Sequence, residues 1–209
     1  MSDGHEQASL AGLSDAALLH RLSLRDAAAF RVLVERHGAV PHRVALRLLG
    51  SVSDAEDVMQ EALLRLWRLA TGADRHAAAI NSPGAWLRQV ATNLSLDRLR
   101  SRQRRPDSGL ELTEIADGAP LADAQIEEME RSGAAQRAIA RLPDRQRAAI
   151  VLTYYEGLAN AAAAQVLELN HKAFESLLVR ARKALKAQLA PTLAMSLDSQ
   201  LERNPHDRI

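Results

Sequence analysis

Residues 54–68 read DAEDVMQEALLRLWR, and residues 82–105 read SPGAWLRQVATNLSLDRLRSRQRR. Each segment repeats apolar side chains at the spacing of an amphipathic α-helix. The first segment is acidic over its first turns, and its polar face consists of Asp57, Gln60, Glu61, Arg65 and Arg68. The polar face of the second begins with amides and ends with guanidinium groups, and it consists of Gln89, Asn93, Asp97, Arg100 and Arg104. Because amides can read base edges and arginines can hold phosphates, this order predicts a nucleic-acid-binding helix.

The two segments resemble, in the same order, two helices of the bacterial RNA polymerase sigma factors of the extracytoplasmic-function group. The first resembles the group's helix for core RNA polymerase, and residues 85–105 resemble its helix for the minus-ten promoter element. The resemblance assigns polymerase binding to Asp54, Asp57, Gln60, Glu61 and Arg65. It assigns the binding of minus-ten DNA to a second set of residues, which are Trp86, Gln89, Asn93, Asp97, Arg98, Arg100, Arg104 and Arg105. It also implies that the acidic face meets the arginine-rich clamp of the largest polymerase subunit.

Asn93 is the most specific of these expected DNA contacts. The resemblance places its side chain where a promoter base flipped out of the stack is received. An amide offers a donor and an acceptor to a Watson–Crick edge, whereas an ordinary surface Asn is mildly unfavourable in a helix. Trp86 can support the start of the helix or stack on a base, and we favour the supporting role. The arginines that end the segment repel one another unless they meet phosphate.

A second region, residues 157–186, has the spacing of a helix-turn-helix. Any helical hairpin can show that spacing. However, LPDRQRAAIVLTYYEGL (142–158) and ESLLVRARKALK (175–186) also resemble the minus-thirty-five-binding domain of the same group. The resemblance assigns minus-thirty-five DNA to His171, Lys172, Glu175, Ser176, Val179, Arg180, Arg182 and Lys183.

This second region departs from the group's pattern at several positions. Ala159 stands where a Ser or Thr usually caps the short helix, and Glu168 stands in the turn where Gly is usual. A left-handed conformation would cost Glu168 about 1 kcal/mol. Glu175 stands where an Arg or Lys is often found. It can accept a hydrogen bond from a cytosine amino group, or it can be a surface residue paired with Arg182 or Lys172.

Helix signals predict an all-α protein with two small helical domains. A domain of four helices spans 14–105, an acidic flexible linker spans 106–123, a helix-turn-helix domain spans 124–190, and residues 1–13 and 191–209 are flexible tails. Residues 106–130 hold eight acids and no Lys or Arg. The resemblance implies that this acidic segment follows the RNA exit path of the polymerase.

Cap residues predict where these helices begin and end. Ser14 and Asp26 are expected to cap the first two helices, and Ser53 or Asp54 the acidic helix. Ser82 precedes Pro83, which suits the first position of a helix. Later in the chain we expect Asp144 to cap a helix that Gly157 ends, and Pro191 to end the long basic helix.

Composition excludes several functional classes. The chain of 209 residues has no cysteine, which rules out disulfides and thiolate metal sites and suits a reducing cytosol. The His37 and His42 pair lies on different helix faces, so we expect no metal or other cofactor. No apolar run has the roughly 20 residues of a membrane helix, and the N-terminus lacks a signal pattern. We therefore expect a cytoplasmic protein. No arrangement of catalytic residues is present in the sequence, so we also expect that it is not an enzyme.

We therefore expect a sigma factor that binds core RNA polymerase, through the largest-subunit clamp and the flap, and directs initiation at promoter DNA. We expect control by an anti-sigma factor in response to a stress or envelope signal. Two alternatives are a sigma-like decoy that sequesters an anti-sigma factor and a conventional helix-turn-helix regulator. The intact arginine run and Asn93 argue against the decoy. The second alternative, a conventional regulator, leaves the acidic helix without an explanation.

Overall fold

The computed structural model describes residues 10–72, 80–104 and 133–203, with the side chains of the last helix described up to residue 190. The described residues form helices and no strand, which confirms the all-α prediction. The chain divides into two compact units, Met1–Leu112 and Thr113–Ile209. The expected linker, 106–123, lies outside the described residues.

Five helices form the described part of the first unit. They are α1 (Asp15–Ser23), α2 (Ala27–His37), α3 (Ala39–Leu49), α4 (Val52–Ala70) and α5 (Pro83–Arg104). We expected four, because Gly38 and Pro41 were read as a loose interruption of one helix. The interruption is confined to Gly38, where a Cβ atom would lie 2.5 Å from the Val34 carbonyl oxygen. The absence of a side chain at Gly38 therefore lets α2 and α3 meet directly.

Most of the expected caps in this unit are confirmed. The Ser14 hydroxyl accepts from the Ala17 amide, and the Asp26 carboxylate accepts from the Ala28 and Ala29 amides. The Ser82 hydroxyl accepts from the Ala85 amide at 3.4 Å, directly before Pro83. The prediction of Ser53 or Asp54 as a cap was wrong.

The cap of α4 is Ser51, whose hydroxyl accepts from the Asp54 amide. This hydroxyl accepts a hydrogen bond from the third residue of the helix, and the helix starts at least two residues earlier than expected. The helical repeat of apolar residues does not include Val52, which is exposed, and so gave no sign of this earlier start.

Apolar faces of α3, α4 and α5 form the centre of this unit, with α3 packed on both other helices. Val44, Leu48, Val58, Leu66 and Leu87 are almost completely buried. Burying one such side chain contributes about 1.5–3 kcal/mol. A smaller cluster around Leu18, Leu22 and Leu33 joins α1 to α2, and Trp67 of α4 packs against it. These contacts fix α4 and α5 side by side.

The described part of the second unit begins with helical residues 133–140. It continues with α6 (Asp144–Ile150), a π-helical turn (Val151–Tyr155), α7 (Asn160–Val166) and α8 (His171–Arg203). Gly157 follows the π-helical turn with φ 64°, as expected for a glycine that ends a helix. Phe174 of α8 is the largest side chain that is fully buried.

Two predicted helix limits in this unit were wrong. Asp144 is the first residue of α6 rather than its cap, and the cap position is held by Pro143. Helix α8 does not end at Pro191 but continues to Arg203. Proline holds φ near the helical value, so a helix can continue through it. The helix then loses one backbone hydrogen bond and has a steric conflict in the preceding turn. The residues after Pro191 include Ala, Leu, Met and Gln, which are good helix formers.

A buried arginine connects the elements of this unit. The Arg147 side chain is 9% exposed and donates to the carbonyl oxygens of Ala140 and Leu142. Burial lowers the pKa of Arg147, and Asp144 opposes that shift. The guanidinium therefore satisfies carbonyls at the end of the preceding helical segment, which have no partner inside their own helix.

Candidate functional site

Helices α4 and α5 enclose a groove of about 480 Å³. Its lining contains four of the five residues that the sequence assigned to polymerase, together with two residues of α5; the lining residues are Asp57, Gln60, Glu61, Leu64, Arg65, Leu94 and Arg98. Asp57 and Gln60 are exposed, and Leu64 is 42% exposed. The groove thus combines an acidic and amide edge with an accessible apolar surface.

Within the groove, charge is partly paired. The Arg65 Nε donates to Glu61 Oε1 at 2.8 Å, one helical turn away. An exposed pair of this kind contributes only a few tenths of a kcal/mol, so Glu61 can exchange Arg65 for another cation at little cost. Asp57 and Arg98 both line the groove, from opposite helices.

Asp54, the fifth residue of the expected polymerase set, is placed differently. It does not line the groove, and its carboxylate forms an ion pair with Arg102 near the end of α5. Burial would raise the pKa of Asp54, but hydrogen bonds from Ser51 and Arg102 and the nearby Arg98 charge outweigh it and hold the pKa below its usual value. The carboxylate is therefore charged at neutral pH. The pair joins residues 48 positions apart, which no local sequence pattern indicates.

The outward face of α5 carries six of the eight residues that the sequence assigned to minus-ten DNA. Asn93, Trp86 and Gln89 are half-buried, while Asp97 and Arg100 are exposed and form an ion pair of 2.9 Å. The half-burial of Trp86 suits the supporting role better than an open stacking platform. Arg104 is also exposed, and the eighth residue, Arg105, lies outside the described residues.

The arginines at the end of α5 do not act as one run. Arg98 and Arg102 face α4, in the groove and in the Asp54 ion pair, and both are half-buried. Arg100 and Arg104 point away from α4 and are exposed. Side chains four positions apart share a helix face, which explains the alternation. Among the described arginines of this series, the second pair is thus the more exposed one.

Two buried polar residues also lie on α5. Thr92 and Ser95 are fully buried, and each hydroxyl donates to the carbonyl four residues earlier, at 2.8 and 2.7 Å. Such hydrogen bonds satisfy a hydroxyl inside an apolar interface. Their polar side chains gave no signal of burial in the sequence.

The start of α5 rests on α2 through Gly84. A Cβ atom at Gly84 would lie 3.1 Å from Nδ1 of His37, so the imidazole lies directly on the backbone. The opposite nitrogen, Nε2 of His37, is 2.8 Å from Asp15, which also accepts from Arg36. Burial would raise the pKa of Asp15, but the hydrogen bonds from Arg36 and His37 lower it below its usual value. This network positions the first turn of the helix that carries Asn93.

In the second unit, all eight residues assigned to minus-thirty-five DNA are exposed on α8. They are His171, Lys172, Glu175, Ser176, Val179, Arg180, Arg182 and Lys183. The opposite face of the helix is buried against the rest of the unit through Phe174, Leu177, Leu178 and Ala181. Helix α8 therefore has one free face with five cationic or imidazole side chains and one acid.

The turn between α7 and α8 sets the direction of that face. Glu168 has φ 53°, as expected for a position where glycine is usual. The side-chain carbonyl oxygen of Asn170 accepts a hydrogen bond from the Ala173 amide at 2.8 Å and so caps α8. Arg145 of α6 donates to the Leu167 carbonyl at 2.7 Å. In contrast, Ala159 gives α7 no side-chain cap.

Two contacts on α8 differ from the expectation or were missed by it. Glu175 lies 3.7 Å from His171, one turn earlier, which is a different partner from Arg182 and Lys172, the two cations considered for a surface role. Arg182 lies instead over the ring of Tyr154, 5.6 Å from its centroid. Tyr154 is 56% exposed and belongs to the π-helical turn. Its neighbours Val151 and Leu152 in the same turn are buried, so the local sequence gives no sign that this ring is exposed.

Within the described ranges there is no cluster of three or more His, Cys, Asp or Glu residues that could hold a metal ion. Nor does any described helix have the length and hydrophobicity required to cross a bilayer.

Comparison with known proteins gives matches over both units. The family described as sigma-70 region 2 matches residues 33–105, and the family described as sigma-70 region 4 matches residues 132–185. The chain is 37% identical over 172 residues to the ECF RNA polymerase sigma factor SigM of Mycobacterium tuberculosis, covering 82% of this chain and 83% of that one. It is 32% identical over 177 residues to the ECF RNA polymerase sigma factor SigW of Bacillus subtilis, covering 78% and 90%.

Solved structures show the same fold. CnrH, in complex with the cytosolic domain of CnrY, superposes with a TM-score of 0.58 at 26% identity and covers 85% of this chain and 97% of that one. The sigma factor RpoE of Bartonella quintana, in complex with the anti-sigma factor NepR, has a TM-score of 0.57 at 24% identity and covers 77% and 96%.

Proposed function

The chain belongs to the extracytoplasmic-function family of RNA polymerase sigma factors, and we propose that three separate surfaces divide its work. The groove between α4 and α5 binds core polymerase, the outward face of α5 binds the minus-ten element, and the free face of α8 binds the minus-thirty-five element. The observation that carries the proposal is the groove, because it unites four of the five expected polymerase residues.

The polymerase groove suits a helix that carries arginines beside an apolar residue. Asp57 and Glu61 offer carboxylates to guanidinium groups, and Leu64 and Leu94 offer an apolar surface between them. Charged groups at such an interface speed association and select the partner, whereas the apolar contact excludes water. The arginine-rich clamp of the largest polymerase subunit has this chemistry.

On the outward face of α5, we assign separate tasks to the amide and the arginines. Asn93 receives an extruded promoter base, because its amide can match the donor and acceptor of a base edge. Arg100 and Arg104 hold the backbone near that base, since they are the exposed members of the arginine series. Arg98, which the sequence also assigned to DNA, is assigned to the groove.

On α8, the cationic side chains hold the phosphate backbone of the duplex. Glu175 lies between them and faces the major groove of the DNA. A helix with one buried and one free face can lie in the major groove with its free side chains on the bases. Glu175 is separated from His171 by 3.7 Å, a weak exposed contact that a cytosine amino group can replace. The turn at Glu168 retains the geometry of the motif despite the missing glycine.

Further partners and the place of action follow from the same family membership. CnrH has been solved with the cytosolic domain of CnrY, and the sigma factor RpoE with the anti-sigma factor NepR. We propose that this chain is likewise held by an anti-sigma factor. A stress or envelope signal would release it. We propose that it acts in the cytoplasm and has no enzymatic activity of its own, so that the polymerase performs the chemistry.

Run-off transcription with purified core polymerase tests this proposal. The chain should direct transcripts from cognate promoters, whereas a decoy would bind an anti-sigma factor without transcribing, and a conventional regulator would bind DNA without needing core polymerase. Asp57→Arg should abolish co-purification with polymerase because it puts a cation against arginines.

Glu56→Arg is the matched control for that variant. It makes the same charge change at the adjacent exposed residue, and Glu56 does not line the groove. Equal loss of polymerase binding in both variants, with normal circular dichroism, would refute the assignment of the groove.

A further inference from the structure

The ion pair between Asp54 and Arg102 is a polar link between α4 and α5. Both side chains are sheltered, with exposed fractions of 22% and 28%. The pair lies at the first turn of α4 and the last turn of α5, so the two helices run antiparallel and the pair ties the end of one to the start of the other. Asp54 is also held on its own side, by the hydroxyl of the cap residue Ser51.

Among the residues described after Leu99 in α5, Arg102 is the one whose side chain is half-buried. Helix ends fray, because the final carbonyls have no partner inside the helix. Leu99 is the last buried apolar residue of α5, and Ser101, Gln103 and Arg104 after it are exposed. Arg102 therefore connects this turn to α4 through its ion pair with Asp54.

Arg100 and Arg104 flank Arg102 on the opposite side of the helix. All three lie within five residues, so the ion pair of Arg102 restrains the stretch of backbone that carries both exposed arginines. If the last turn frayed, these groups would lose their common direction. Holding charged groups in place before binding reduces the entropy that must be lost on binding.

We propose that Asp54 is a positioning residue for DNA binding rather than a polymerase contact: through Arg102 it holds the last turn of α5 so that Arg100 and Arg104 meet the promoter backbone together. This inference rests on the proposed assignment of the outward face of α5 to minus-ten DNA. It removes Asp54 from the polymerase set and gives the inward Arg102 an indirect part in promoter binding.

The test uses holoenzyme assembled from the full chain and core polymerase, with two measurements for each variant. One is the affinity for core polymerase, and the other is the salt dependence of binding to a minus-ten promoter fragment. Each phosphate contact contributes about 0.7–0.9 to the slope of log affinity against log salt. Asp54→Asn should leave polymerase affinity unchanged and reduce the slope by about 1 to 2.

Arg102→Gln and the double variant should give the same reduction as Asp54→Asn, because all three break one pair and the effects then do not add. Asp57→Asn is the control, since it lies one turn further along α4 and in the groove. It should weaken polymerase binding and leave the slope unchanged.

Two results would overturn the inference. In one, Asp54→Asn weakens polymerase binding as Asp57→Asn does, with an unchanged slope. In the other, Asp54→Asn steepens the slope, which would mean that the ion pair withholds Arg102 from DNA. The combined Arg100→Ala and Arg104→Ala variant separates this inference from the proposed function. If that variant keeps the full slope, the outward face of α5 is not the DNA surface at all.

Discussion

Replacing Glu168 by glycine should stabilise the second unit. Glu168 follows α7 with φ 53°, and its amide donates to the Gln165 carbonyl while the Leu169 amide donates to the Ala164 carbonyl. These two hydrogen bonds define a helix end whose left-handed residue is usually glycine. The side chain of Glu168 is exposed, and no ion pair or side-chain hydrogen bond of it is found within the described ranges.

The size of the effect follows from two opposing contributions. A left-handed conformation costs a residue with a Cβ about 1–2 kcal/mol. Glycine gains that amount but loses about 0.4–1 kcal/mol through the greater freedom of the unfolded chain. The free energy of unfolding should therefore rise by about 0.5–1 kcal/mol, which corresponds to roughly 2–8 °C in Tm for a unit of this size.

Hydrogen exchange of the backbone amides in α7 and α8 measures this locally in the full-length chain, where a single unfolding transition cannot be assumed for two units. Glu168→Ala is the matched control, because it removes the same carboxylate but keeps the Cβ, and it should give no gain. If the glycine and alanine variants both protected the amides of α7 and α8 better than the original chain, and by the same amount, the effect would come from the lost charge. Lower protection in the glycine variant would refute the strain argument.

Two predictions concern the promoter surfaces. Asn93→Ala should keep polymerase affinity but lower transcription by the equivalent of about 1–3 kcal/mol, since one base contact is lost; normal run-off from cognate promoters would show that Asn93 is only a surface residue. Tyr154→Leu should weaken minus-thirty-five binding about 2- to 5-fold, because the exposed contact that orders Arg182 contributes about 0.5–1 kcal/mol. Tyr154→Phe keeps the ring and should bind normally in the same mobility-shift assay, and an equal loss in both variants would place the hydroxyl itself on DNA.

Local signals in the sequence predicted most of the helices. The caps Ser14, Asp26 and Ser82 lie where the apolar repeat begins, so each start could be read within a few residues. Gly157 has the positive φ that its position at a helix end suggested. The start of α4 was misplaced because Val52 is exposed and outside the apolar repeat.

The sequence did not indicate which groups of α5 meet α4, because that depends on contacts between helices. Periodicity places Arg98 and Arg102 on one face of α5, but not which helix that face meets. The arginine series was therefore read as a single phosphate-binding run, although α4 takes two of its members. Tyr154 is a similar case, because the π-helical turn that carries it exposes a ring within an otherwise apolar stretch.

The division of α5 into two faces limits how promoter preference can be redesigned. Leu94, Arg98 and Arg102 recur every four residues toward α4, while Asn93, Arg100 and Arg104 lie on the other side. A chimera that exchanged the whole helix with that of another sigma factor would import a foreign groove wall along with the foreign base reader. On the proposed assignment of the two faces, grafting only the outward positions onto the native inward ones should change the promoter that is recognised and leave binding to the same core polymerase intact.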